Sequence, residues 1–105
     1  MESANLEYIK NLTENNEEFE RELISILKRD FPIEYDGYKL NIEEKNYSGA
    51  AEIVHKIKHK ITILGFKKGY ELASNHENEL RNGKSELKDS FKKILDNISA
   101  FIKTL

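Results

Sequence analysis

Between Ala50 and Gly65 the apolar residues Ala50, Val54, Ile57, Ile61 and Leu64 recur at alternating steps of four and three. That spacing gathers them on one side of an α-helix and would scatter them over both faces of a strand. The stretch is therefore read as a helix buried along one side of a helical bundle. Each residue turns the helix by about 100°, so His55 falls almost opposite the apolar stripe. Lys58, His59 and Thr62 stand three, four and seven residues on and share its ridge, with Lys56 and Lys60 flanking. The pattern predicts an imidazole on a rigid scaffold, open to solvent and surrounded by ammonium groups.

The rest of the chain repeats the helical period. Leu6, Ile9 and Leu12 are spaced for a short helix that ends in the polar run Thr13 to Asn16. Asn15 or Asn16 can cap a second helix, and Glu17, Glu18 and Glu20 then occupy its first turn, where the helix dipole favours carboxylates. Phe19, Leu23, Ile26 and Leu27 predict the buried stripe of that second helix. Pro32 lacks an amide donor and disfavours helical geometry at Phe31, which predicts a kink or brief break. Beyond it the helix is expected to resume, buried through Ile33, Leu40 and Tyr38. Asn46 and Ser48 are candidate caps for the helix that carries His55, and Gly65 ends that helix in a left-handed conformation. Phe66, Gly69, Ala73, His76 and Leu80 form the next stripe, with Tyr70 and Leu72 on its flanks; Asn82-Gly83 stops it. Ser85 is the expected cap of a last helix whose stripe is Leu87, Phe91, Ile94, Ile98, Phe101 and Leu105, widened by Leu95 and Ile102. The expected fold is all-α, an antiparallel four-helix bundle with a short extra amino-terminal helix, as one domain over 1–105.

Composition narrows the function. Charged residues make up 34% of the 105 and apolar ones 38%, the balance of a water-soluble helical chain. A net charge of −2 argues against general nucleic-acid binding, which rests on a basic surface. No apolar run approaches the ~20 residues that span a bilayer, and Met1-Glu2-Ser3 opens no signal pattern, so neither membrane nor export is expected. The chain has no cysteine, hence no disulfide, thiol nucleophile or thiolate metal site, and a cytoplasmic monomer is expected. It also lacks a Gly-rich phosphate loop of the Walker type.

His55-Lys56-Ile57-Lys58, with Gly65 ten residues after the histidine, resembles the signature of histidine-containing phosphotransfer domains of two-component phosphorelays. In that family a histidine is followed by lysine at the third position, a small residue at the fourth and glycine near the tenth. His55, Lys58 and Gly65 match; His59 departs, standing where the family has glycine or serine. The likeness extends over nearly the whole chain, through Leu6-Glu7-Tyr8-Ile9, Phe19 to Leu27, Pro32 and Glu77. It implies that His55 accepts a phosphoryl group from the aspartate of a response-regulator receiver domain or from a hybrid histidine kinase and passes it to another receiver. Chemically, a neutral imidazole nitrogen is a competent nucleophile near physiological pH. The likeness implies that Lys58 supports the phosphoryl group and that Gly65 shapes the helix end. His59 and Thr62 are then neighbours of the site, and Lys56, Lys60, Ile63, Lys67 and Lys68 a docking surface. The chain would be a carrier rather than an enzyme, with no cofactor of its own, the partner receiver supplying Mg²⁺.

Two other readings compete. A helical adaptor bundle would bind a signalling partner without chemistry, and mutation of His55 would leave it unaffected. Alternatively, Glu52, His55 and His59 share the spacing of one helix face and contain a Glu-x-x-His element of the kind found in di-iron bundles. Such centres need two of these elements and two further glutamates aimed into the core, whereas this one points outward. His59 either crowds the ridge, bonds the phosphoryl group or tunes His55. His76, on an apolar stripe, reads as a core histidine bonded to a neighbour.

Overall fold

Five helices carry the chain in a computed structural model that describes residues 6–105, and no strand occurs among them. Met1-Glu2-Ser3 and the side chain of Leu6 lie outside the described residues. The helices are α1 (Leu6–Leu12), α2 (Glu17–Glu43), α3 (Tyr47–Ile63), α4 (Lys67–Arg81) and α5 (Lys88–Ile102). α3 is central, packing on α1, α2 and α4, while α5 closes against α2 and α4. No helix is long and apolar enough to cross a membrane among the described residues.

Local chemistry sets the boundaries. Asn16 caps α2, its side chain accepting from the amide of Phe19, and Asn46 caps α3 by accepting from Gly49. α3 ends as expected at Gly65, whose φ of +78° lies in the left-handed region. Two bonds close the turn, from the amide of Phe66 to the carbonyl of Ile61 and from that of Gly65 to Thr62. A methyl group on Gly65 would also fall 2.9–3.1 Å from ring atoms of Tyr8, so only glycine lets α1 close over this corner. Ser85 does not cap α5. The amides of Glu86 and Leu87 donate instead to the Glu79 carboxylate on α4, at 2.9 and 2.8 Å. A carboxylate from a neighbouring helix thus does the work of a local hydroxyl.

One hydrophobic cluster fills the interior. The α3 stripe enters it as expected, with Ala50, Val54, Ile57, Ile61 and Leu64 all buried, and so does the α4 stripe through Phe66, Gly69, Ala73, His76 and Leu80. In α5 the most buried line is Phe91, Leu95, Ile98 and Ile102; Ile94 and Phe101 flank it. α2 differs from expectation in two ways. It runs through Pro32 without a break, because Phe31 on one side and Tyr35 and Tyr38 on the other anchor both halves, and Pro32 itself faces solvent. Its buried line is Leu27, Phe31 and Tyr38, while Phe19, Ile26, Ile33 and Leu40 are exposed. The helix carries apolar residues on two faces, and only one of them meets α3.

Candidate functional site

His55 lies at the middle of α3 with its side chain 56% exposed, on the side away from the buried stripe. Its ring is oriented from behind. Nδ1 approaches Oε1 of Glu77, on α4, at 3.4 Å. Glu77 is itself buried and well held. The same Oε1 accepts from Lys58 Nζ at 3.1 Å, and Oε2 accepts from Arg81 through Nη2 at 2.9 Å and Nε at 3.2 Å. Burial by itself would push the Glu77 carboxyl upward. The hydrogen bonds from Arg81 and Lys58, with the charge of Lys58, outweigh burial and hold it below the ordinary carboxylate range. Glu77 is therefore an anion facing Nδ1, which favours the tautomer with the proton on Nδ1 and leaves the lone pair on Nε2.

Around this pair the structure sorts the remaining residues. The Lys58 ammonium does not project into solvent; its side chain is 15% exposed, bonded to Glu77 and lying over the Tyr70 ring at 5.0 Å from the centroid. His59 is exposed, with its ring edge-on to that of His55 at 5.5 Å between centroids. Thr62 is exposed on the same ridge, its hydroxyl donating to the Lys58 carbonyl. Lys56, Lys67 and Lys68 are exposed. Lys60 is not on this surface. It is buried against α2, with Nζ 3.0 Å from the Glu34 carboxylate. Ile63 is partly buried and packs on the core rather than standing clear of it. Where α1, α3 and α4 meet, Tyr8, Thr62, Gly65, Phe66, Lys67 and Tyr70 line an open groove of about 420 Å³ at the end of the ridge. Among the described residues no three His, Cys, Asp or Glu side chains are gathered to hold a metal ion.

Helical spacing brings out His55, Lys58, His59 and Thr62, because they share one helix. It does not bring out Arg81 or the part played by Glu77, which stand 26 and 22 residues further along the chain. Glu77 and Arg81 are one turn apart on α4, a signal visible in sequence, but only packing of α4 on α3 aims them at His55. Comparison with known proteins finds no match, whether to a family model, a curated protein or a solved structure.

Proposed function

We propose that this chain is a phosphoryl carrier of the histidine-containing phosphotransfer type. In this reading α2 to α5 form the antiparallel four-helix bundle of that type, α1 is the extra helix, and His55 is the acceptor. The observation that carries the proposal is the oriented imidazole, with Nδ1 against an anionic Glu77 and more than half of the side chain exposed. Nε2 attacks the phosphorus of an aspartyl phosphate on a receiver domain. The new N–P bond forms as the P–O bond to the aspartate breaks, and the aspartate leaves as carboxylate with the electron pair. The imidazole ring takes on positive charge, which the Glu77 carboxylate offsets at Nδ1–H. Delivery to a second receiver is the same step reversed. A Mg²⁺ ion held by the receiver would supply the charge that screens the phosphoryl oxygens during transfer. Lys58 adds positive charge one turn away and, with Arg81, holds Glu77 in place. Lys56, Lys67 and Lys68 rim the approach and favour an acidic partner surface, and the groove beside Gly65 takes an apolar element of the partner.

Incubation with a phosphorylated receiver, followed by intact-mass measurement, tests the assignment. The wild-type chain should gain one acid-labile phosphoryl group, and His55→Gln should gain none while keeping its helicity. His55 is exposed, so its loss should change stability by no more than ~0.5 kcal/mol. Acid-labile label that persists on the variant would move the acceptor elsewhere, and a wild-type chain that no receiver labels would favour the adaptor reading.

A further inference from the structure

Phe19, Ile26, Ile33 and Leu40 stand on α2 at intervals of seven residues, 50, 37, 68 and 55% exposed. They form one column, turned away from the core-facing Leu27, Phe31 and Tyr38. At 1.5 Å per residue the column is about 32 Å long. Seven residues fall about 20° short of two full turns, so it leans along the helix as the seam of a left-handed coiled coil does. Half-buried Leu23 fills the gap between Phe19 and Ile26. Single exposed apolar side chains need no explanation, but an aligned row of four on one helix does.

The flanks of the column indicate what covers it. On one side stand Glu22, Arg29 and Asp36, each four residues before a member of the column; on the other stand Leu23, Asp30 and Gly37, each three before. If two copies pair with α2 parallel about a twofold axis, the first flank of each lies against the second flank of the other. Arg29 then meets Asp30 of the second copy, Glu22 meets Leu23 and Asp36 meets Gly37, with no like charges in contact. Antiparallel pairing sets each flank against itself, so that Arg29 meets Arg29, Asp30 meets Asp30 and Glu22 meets Asp36. Like charges so placed are destabilising. The Arg29 side chain is 70% exposed, and within one chain it bonds the adjacent Asp30. An ion pair this exposed is worth little, so the guanidinium is able to turn to the second copy.

We propose that this column is the interface of a parallel, twofold homodimer in which α2 of one copy packs on α2 of the other. This departs from the monomer expected from sequence and does not depend on the phosphoryl-carrier reading. It also leaves the His55 ridge on α3 and α4 open in both copies. Sedimentation of the full chain should show a dimer, and Ile33→Glu should be a monomer of unchanged helicity. Arg29→Asp should weaken the dimer about tenfold, and adding Asp30→Arg should restore it. Because the chain has no cysteine, single cysteines report the pairing directly. Under mild oxidation Ile33→Cys should cross-link to itself, and Glu52→Cys, exposed on α3, should not. A wild-type chain that sediments as a monomer at every concentration overturns the proposal. Cross-linking only when Ile26→Cys is mixed with Ile33→Cys overturns it as well, because the helices would then be antiparallel.

Discussion

The Glu77 carboxylate has two oxygens and receives nitrogen donors from three side chains, His55, Lys58 and Arg81. Its removal should act on His55 through the tautomer rather than through contact with a partner. In Glu77→Ala nothing on α4 would hold the proton on Nδ1, and the neutral ring would divide between its two tautomers. Ring ¹⁵N shifts of labelled protein, recorded where the imidazole is neutral, should show the Nδ1–H share falling. If the chain is the phosphoryl carrier proposed above, uptake should slow about tenfold, the rate equivalent of losing one hydrogen bond worth ~1.4 kcal/mol. Glu77→Gln, whose amide oxygen still accepts from Nδ1–H, should fall between the two. A slower Glu77→Ala with an unchanged tautomer ratio would mean that Glu77 serves the partner surface and not the ring.

At the scale of helices, α2 and α3 give opposite predictions for the same substitution. Ile57 is fully buried in the cluster, so Ile57→Ala should destabilise by ~2–5 kcal/mol, whereas Ile33→Ala in the isolated chain should cost less than ~0.5 kcal/mol. Chemical denaturation of both, at concentrations where α2 has no partner, decides it. Equal losses would mean that α2 is rotated from the phase described. α3 was legible in sequence because its apolar residues fall on one face and its polar ones on the other. α2 was not, because Phe19, Ile26, Ile33 and Leu40 compete with Leu27, Phe31 and Tyr38 for the same signal, and periodicity cannot tell which face meets α3. The site divides in the same way. Residues within one helix, from His55 to Thr62, are given by spacing. Contacts that cross helices are not, and these include Glu77 on His55, Glu34 on Lys60 and Glu79 on the amides before α5.

Across the whole molecule, one buried polar chain joins three parts of the fold. Tyr38 on α2 bonds His76 Nε2 at 2.6 Å, His76 Nδ1 bonds Glu79 Oε2 at 2.6 Å, and Glu79 takes the amides of Glu86 and Leu87. The donors are consistent with a neutral His76, with Nδ1–H donating to the carboxylate and the Tyr38 hydroxyl donating to Nε2. Burial pushes the His76 imidazole below its ordinary value of 6.5, against the opposing pull of Glu79. Burial alone would push Glu79 up, but its bonds from His76, Leu87 and Glu86 bring it below the ordinary 4.5, as Glu77 is brought. The signs agree. The unfolded chain takes up the imidazole proton first, so stability is full above about 6.5 and falls as the pH drops from there through the folded His76 value. The two glutamates add a second loss below about 4.5, as the pH falls through their depressed folded values. Urea midpoints measured against pH should therefore decline in two stages, with no decline between pH 7 and 8. His76→Gln should be less stable at neutral pH, since the amide fills the space without matching both bonds. Its midpoint should nevertheless stay level from 6.5 down to 4.5, and the second stage should remain. A first stage that survives in His76→Gln would place the titrating group elsewhere in the molecule.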